Sequence, residues 1–191
     1  MNVLSVGKHR WLLLSKIPPV QALAAMLRNS TAIPQIVPSR LAPSTIYDVE
    51  YRTAVIALVF ERFARPVAPA EERKISSARL KFLQFLTLRP WLLPAIREWS
   101  SAGAQQELAF AHSIRIRRGF LSDSAHDDLI SYLAACGILL RQETQIVSGK
   151  NVRALTLVAQ AIEQNELFES ERGVIDDLGG IKITNEMLEG W

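Results

Sequence analysis

A mainly α-helical chain with one small β-hairpin is what this sequence predicts, and three observations carry that reading. Apolar residues recur at helical spacing over several stretches, the longest marked by Ile46, Val49, Val55, Leu58, Val59 and Phe63. A later helix, from Leu121, runs into Gly137, a residue type suited to ending it. Beyond that glycine the residues become β-prone, and Ser148-Gly149-Lys150-Asn151 is a turn signal between two such runs.

The elements follow in order. From Met1 to Tyr47 there is no acidic residue, while Lys8, Arg10, Lys16, Arg28 and Arg40 are basic. That composition resembles an organellar transit peptide. The Pro18-Pro19, Pro34, Pro38 and Pro43 punctuation favours instead a structured arm over residues 1–43 with one short helix, Val20 to Arg28. A long helix runs from Ser44-Thr45 to about Ala64, where Arg65-Pro66 stops it. Val67 to Pro69 reads as a linker, and Glu71 and Glu72 as the start of a helix that covers Ile75 to Leu88. Pro90 breaks that helix, and a shorter one runs from Trp91 to Trp99. Gln105 to Arg118 reads as a helix to Ala111 and then a strand, Ser113 to Arg117, with Ile114 and Ile116 alternating with arginines. The helix ending at Gly137 takes Ser122 or Ser124 as its cap. Ile138 to Val147 and Val152 to Val158 then form the hairpin, with Leu139, Ile146, Val152, Leu155 and Leu157 available to one sheet face. A helix, a terminating glycine and a hairpin make the pattern of a winged-helix-like domain, placed over 44–161. Ala159 to Ser170 continues as helix. Ile181 and Ile183 look strand-like, and Thr184 to Trp191 looks like a short docking helix.

Charge is divided unevenly along the 191 residues. Met1 to Ala161 carries 20 basic and 11 acidic residues, a net of +9, whereas Ile162 to Trp191 carries 2 and 8, a net of −6. A basic body suits an anionic partner, and the acidic tail, 162–191, suits either a basic partner or its own body. The one cysteine, Cys136, lies among apolar residues and has no neighbours for a zinc site, so it reads as a small buried side chain. No run of about 20 apolar residues is present to span a membrane, and a cytoplasmic location is expected.

Catalytic and cofactor-binding patterns are missing from the sequence. His9, His112 and His126 are scattered, and Gly149-Lys150 lacks the remainder of a phosphate-binding loop. Asp127-Asp128 and Asp176-Asp177 are adjacent pairs, which on a helix do not face each other. The expectation is a non-enzyme with no cofactor and no metal.

Binding residues are easier to nominate. Arg115, Arg117 and Arg118 fall just before the candidate recognition helix, Lys150 at the expected wing tip, and Arg153 beyond it. Forked arginine donors suit phosphates, so these five are candidate DNA-backbone contacts. Contact with a protein partner or with the acidic tail is the alternative. The recognition helix argues against base reading, because it carries His126, Asp127, Asp128 and Ser131 and no basic residue. Trp11, Trp91, Trp99 and Trp191 lie on short or terminal elements, where tryptophan is either core or an interface anchor. An arm so rich in apolar residues fits a subunit that is stable within a hetero-oligomer.

Three apolar motifs add a resemblance. Val59-Phe60-Glu61-Arg62-Phe63 ends one helix, Arg79 to Leu86 follows an Arg-Leu-x-Phe-Leu-x-x-Leu pattern, and Leu88-Arg89-Pro90 makes a break before the helix–glycine–hairpin unit. In this order of parts, from about Thr45 to Gln160, the chain resembles the small middle components of ABC-three-component antiphage systems, the group that includes Lamassu. The resemblance implies a bridging role between an SMC/Rad50-like ATPase and an effector subunit in a DNA-sensing defence complex. The acid-free arm and the acidic tail have no counterpart in it. The alternative reading is a winged-helix transcription regulator, which should display basic or amide residues on its recognition helix.

Overall fold

The structure, a computed structural model, describes residues 18–28, 43–67, 72–102, 114 and 116–189. Helix α1 (Pro18–Arg28) inserts Val20 and Leu23 into the core. Helix α2 (Pro43–Phe63) is the central element, with eight consecutive residues, Thr53 to Phe60, buried. A helix buried on every side needs neighbours all round. Here they are α1 and the later helices α3, α6 and α7, described below.

The chain then turns into strands where the sequence suggests a linker and a helix. Strand β1 (Arg65–Val67) pairs antiparallel with β2 (Glu72–Ser76) in the register Arg65↔Lys74, Pro66↔Arg73, Val67↔Glu72. Ile75 is buried between exposed Lys74 and half-buried Ser76. Helix α3 (Ser77–Thr87) cannot extend back to Ile75, because Ser76 is extended and its hydroxyl accepts the backbone N–H of Arg79 at 3.2 Å. After a 3-10 turn (Pro90–Leu92), helix α4 (Leu93–Ala102) buries Leu93 and Ile96.

Residues 116–121 are helical, not the second half of a strand. Ile116 and Phe120 are both buried, four apart on one helical face, and Phe120 sets its ring edge-to-face on Phe82 at 5.4 Å between centroids. The alternation of arginines with isoleucines that suggests a strand is thus incidental.

Helix α5 (Ser124–Ala135) buries Leu129, Ile130 and Leu133. Neither candidate serine caps it. Asp123 occupies the cap position without a side-chain cap bond, its carboxylate being turned to arginines instead. Gly137, at φ 64°, ends the helical run in the left-handed region, as its residue type suggests.

The hairpin follows, one turn earlier than the turn signal implies. Strands β3 (Leu139–Gln142) and β4 (Gln145–Ser148) are joined by Glu143-Thr144, with Glu143 at φ 51°. Strand β4 also pairs with β2 (Ile75↔Ile146), giving one antiparallel sheet in the order β1-β2-β4-β3. The second β-prone run is helix α6 (Arg153–Glu163), with Leu155, Val158, Ala159 and Ile162 buried at helical spacing. Burial of that stripe against α1 and α2 overrides the β-propensity of Thr156, Val158 and Ile162. The segment 148–151 is accordingly the link from sheet to helix. Gly149 donates its N–H to Ile138 O, and its α-carbon lies so close to Gly137 that an added Cβ would fall 2.3 Å from the Gly137 oxygen.

Past residue 162 the chain shares the same core. A 3-10 turn (Glu166–Phe168) leads to α7 (Glu169–Gly179), and α8 (Asn185–Glu189) follows. Ile181 and Ile183 are in neither strand nor helix. Phe168, Val174, Ile175, Leu178 and Met187 are buried among residues of α2 and α3. Arg172 closes the end of α6 by donating to the carbonyls of Ile162 and Glu163.

Candidate functional site

The helix–glycine–hairpin unit, α5 with the β3–β4 hairpin, packs beside α3. Its inner side is held by a polar network. Asp123 accepts from Arg52 Nη1 at 2.8 Å and lies 3.8 Å from Arg89 Nη1, with its side chain almost wholly buried. Lys81 reaches Asp127 at 2.6 Å. Gln84 donates its Nε2 to the carbonyl of Arg52, which leaves Oε1 facing His126 Nδ1. Two of the acids near the start of α5 are therefore engaged inward. Outward, α5 presents Ser124, Ala125, Asp128, Ser131 and Ala135. That surface holds no cation and no amide to read a base edge.

His126 follows from this network. With Gln84 Oε1 as acceptor, Nδ1 carries the proton, and Nε2 is a buried lone pair without a hydrogen-bond partner among the described residues. Burial above all, helped by the cations Lys81 and Arg52 and opposed by Asp127 and Asp123, pushes the pKa of His126 down to about 4. An unfolded histidine titrates near 6.5, so between those values the unfolded chain binds the extra proton. The neutral site should thus contribute its full stability above about pH 6.5 and lose roughly 3 kcal/mol as pH falls to about 4. Urea unfolding at a series of pH values should record that loss. His126→Asn should flatten the pH dependence in this window, and an unchanged acid limb in that variant would assign the loss to another group.

The nominated binding residues are carried by several different elements. Arg115, Trp11 and Trp191 lie outside the described residues. Arg117 is half-buried, with its guanidinium 5.9 Å from the ring centroid of Trp99. Arg118 is exposed on the same helical segment. Lys150 is exposed, but at the base of the hairpin and not at its tip, which is Glu143-Thr144. Arg153 is the exposed first residue of α6. Trp99 packs against the core, while Trp91 is 70% exposed. Cys136 is half-buried, and its carbonyl accepts from Asn151 Nδ2 at 2.7 Å. Of the acidic pair in the tail, Asp176 meets Arg62 at 3.3 Å and Asp177 meets Arg97 at 2.7 Å.

Three cations that the sequence reading passes over do come together. Arg65 and Lys74 are direct partners across β1 and β2, both exposed. Arg79, in the first turn of α3, is close enough to Arg65 for that charge, after burial, to lower its pKa. The signal that could have found them is the alternation in Glu72-Arg73-Lys74-Ile75 ending on the capping Ser76, which marks a strand entering a helix.

Among the described residues no three His, Cys, Asp or Glu side chains are grouped to hold a metal ion, and no helix is long and apolar enough to cross a membrane. No protein-family model, no curated protein and no solved structure matches this chain.

Proposed function

We propose that this chain is a non-catalytic bridging subunit. Its helix–glycine–hairpin unit serves as a winged-helix-like docking module between an SMC/Rad50-like ATPase and an effector, in a cytoplasmic antiphage complex that contacts DNA without sequence preference. The observation that carries a protein-docking role is the outer face of α5. In a winged-helix regulator that face enters the major groove, where arginine, asparagine and glutamine do most base reading. Here it offers two serines, two alanines and Asp128, which suit a protein surface better than a polyanion. The order β2-β4-β3, with α3 and α5 packed beside it, supports the winged-helix-like reading. The motif residues behind the antiphage resemblance, among them Phe60, Leu80, Phe82 and Leu86, are core residues. The resemblance therefore speaks through architecture, and the naming of the ATPase and effector rests on it.

Native affinity capture of the tagged chain, with the bound proteins sized and identified, tests the role. A coiled-coil SMC-like ATPase retained in fixed stoichiometry is the expected result. Ser131→Arg and Asp128→Arg together should release it, because they place cations on the docking face. A lone chain that selects one duplex sequence from a random pool would instead make it a regulator.

A further inference from the structure

We propose that Arg65, Lys74 and Arg79 form the contact between this chain and the phosphate backbone of duplex DNA. This deepens the non-specific DNA contact of the function proposed above, on which it rests for the kind of partner, and assigns it to residues other than Arg117, Arg118, Lys150 and Arg153.

The site is assembled by pairing. The β1–β2 register sets Arg65 opposite Lys74, and opposed cross-strand side chains lie about 5 Å apart at their β-carbons. Two like charges in that relation are destabilising unless something neutralises them. Arg79 adds a third cation from the start of α3, where the first turn carries no acidic residue. None of the three makes an ion pair with a described residue, although Arg52, Arg62, Arg73, Lys81, Arg89 and Arg97 all do. Glu72, two residues from Lys74 on the same strand face, is exposed and makes no such pair with it. Other cations, Arg118, Arg141, Lys150, Arg153 and Lys182 among them, also make no ion pair with a described residue, but Arg65 and Lys74 are set directly opposite each other, with Arg79 beside Arg65.

The charge density needed selects the anion. Duplex DNA presents about one negative charge per 1.7 Å of axis, whereas even a fully acidic extended peptide presents about one per 3.3 Å. Along the denser polymer, each of three cations spaced about 5 Å apart has a phosphate within reach. Guanidinium forks add bidentate bonds to phosphate oxygens. The contact reads no sequence, since only backbone is touched.

The test uses the full chain and two unrelated duplexes, with binding followed over a range of salt. The variants are Arg65→Gln/Lys74→Gln/Arg79→Gln, the charge-preserving Arg65→Lys/Arg79→Lys, and Arg118→Gln/Arg153→Gln. Loss of three phosphate contacts should weaken binding to both duplexes by about tenfold or more at low salt and flatten the log–log salt slope by about 2–3. The charge-preserving variant should bind within a few fold of the parent, and Arg118→Gln/Arg153→Gln should leave the slope in place. If the triple variant melts early by circular dichroism, Lys74→Gln alone, on an exposed strand position, should still remove about 0.9 from the slope. The proposal is overturned by a parent chain that binds neither duplex, by a triple variant with the parent's slope, or by polyglutamate displacing duplex at equal charge. ATPase capture by the triple variant is read separately. Intact capture with lost DNA binding supports both readings, and lost capture by the parent chain sinks the bridging role without touching this site.

Discussion

Phe82→Ala should destabilise the chain by about 3–5 kcal/mol, the range for deleting a fully buried aromatic side chain. Phe82 is completely buried on α3, and its ring holds Phe120 edge-to-face at 5.4 Å. Phe85 also meets Phe120, at 6.3 Å. Truncation opens a cavity and removes the anchor of residues 116–121, the segment that leads to Asp123 and α5. At about 2–4 °C per kcal/mol for a chain of this size, the melting midpoint should drop by roughly 6–20 °C. Leu157→Ala, on the exposed side of α6, is the comparison and should change stability by no more than about 0.5 kcal/mol. A loss below about 1 kcal/mol for Phe82→Ala would mean that the α3 packing described above is not what holds the helices together.

The second large effect should come from Asp123→Ala. Its carboxylate is shared by Arg52 and Arg89, and the Arg52 side chain is itself mostly buried. Removing Asp123 takes from the mostly buried Arg52 guanidinium its 2.8 Å carboxylate partner, and breaking a buried pair of this kind costs about 3–5 kcal/mol. The loss should be non-additive. Arg52→Met combined with Asp123→Ala should recover a large part of it, because an apolar stem replaces the guanidinium that lost Asp123. Denaturant unfolding of the two single variants and the double closes the cycle. Strict additivity would show that Arg52 is neutralised by another group.

Where local chemistry and tertiary burial agree, the sequence is legible. The stretch that became α2 has enough apolar residues at helical spacing to be read from pattern alone, and Gly137 ends its helix because only a residue tolerant of positive φ does so cheaply. Reading fails where the two disagree. Val152 to Val158 is β-prone one residue at a time, yet Leu155, Val158, Ala159 and Ile162 fall on one helical face and are buried there. At Glu72 and Ile75 helix-like composition hid a strand, which forms because β4 arrives from far along the chain to pair with it. The candidate site shares that fate. Arg65, Lys74 and Arg79 are spread over the sequence and become neighbours only once β1 and β2 are aligned, while the arginines that cluster in sequence are drawn to separate surroundings by Trp99 and by solvent.

The long reach from β2 to β4 sets a timetable for the newborn chain. The centre of the sheet joins Ile75 to Ile146, and Ser77 N–H closes on Thr144 O at 2.8 Å. At a synthesis rate of about 5–20 residues per second, the roughly 70 residues between them take about 4–14 s to emerge. For those seconds β2 has one open edge, and Ile75 has no sheet partner on that side. An unpaired edge of this kind is a template for pairing with another chain. The charges on Glu72, Arg73 and Lys74 are well placed to discourage it, so the same lysine that faces outward in the finished sheet also guards the strand while its partner is still being made.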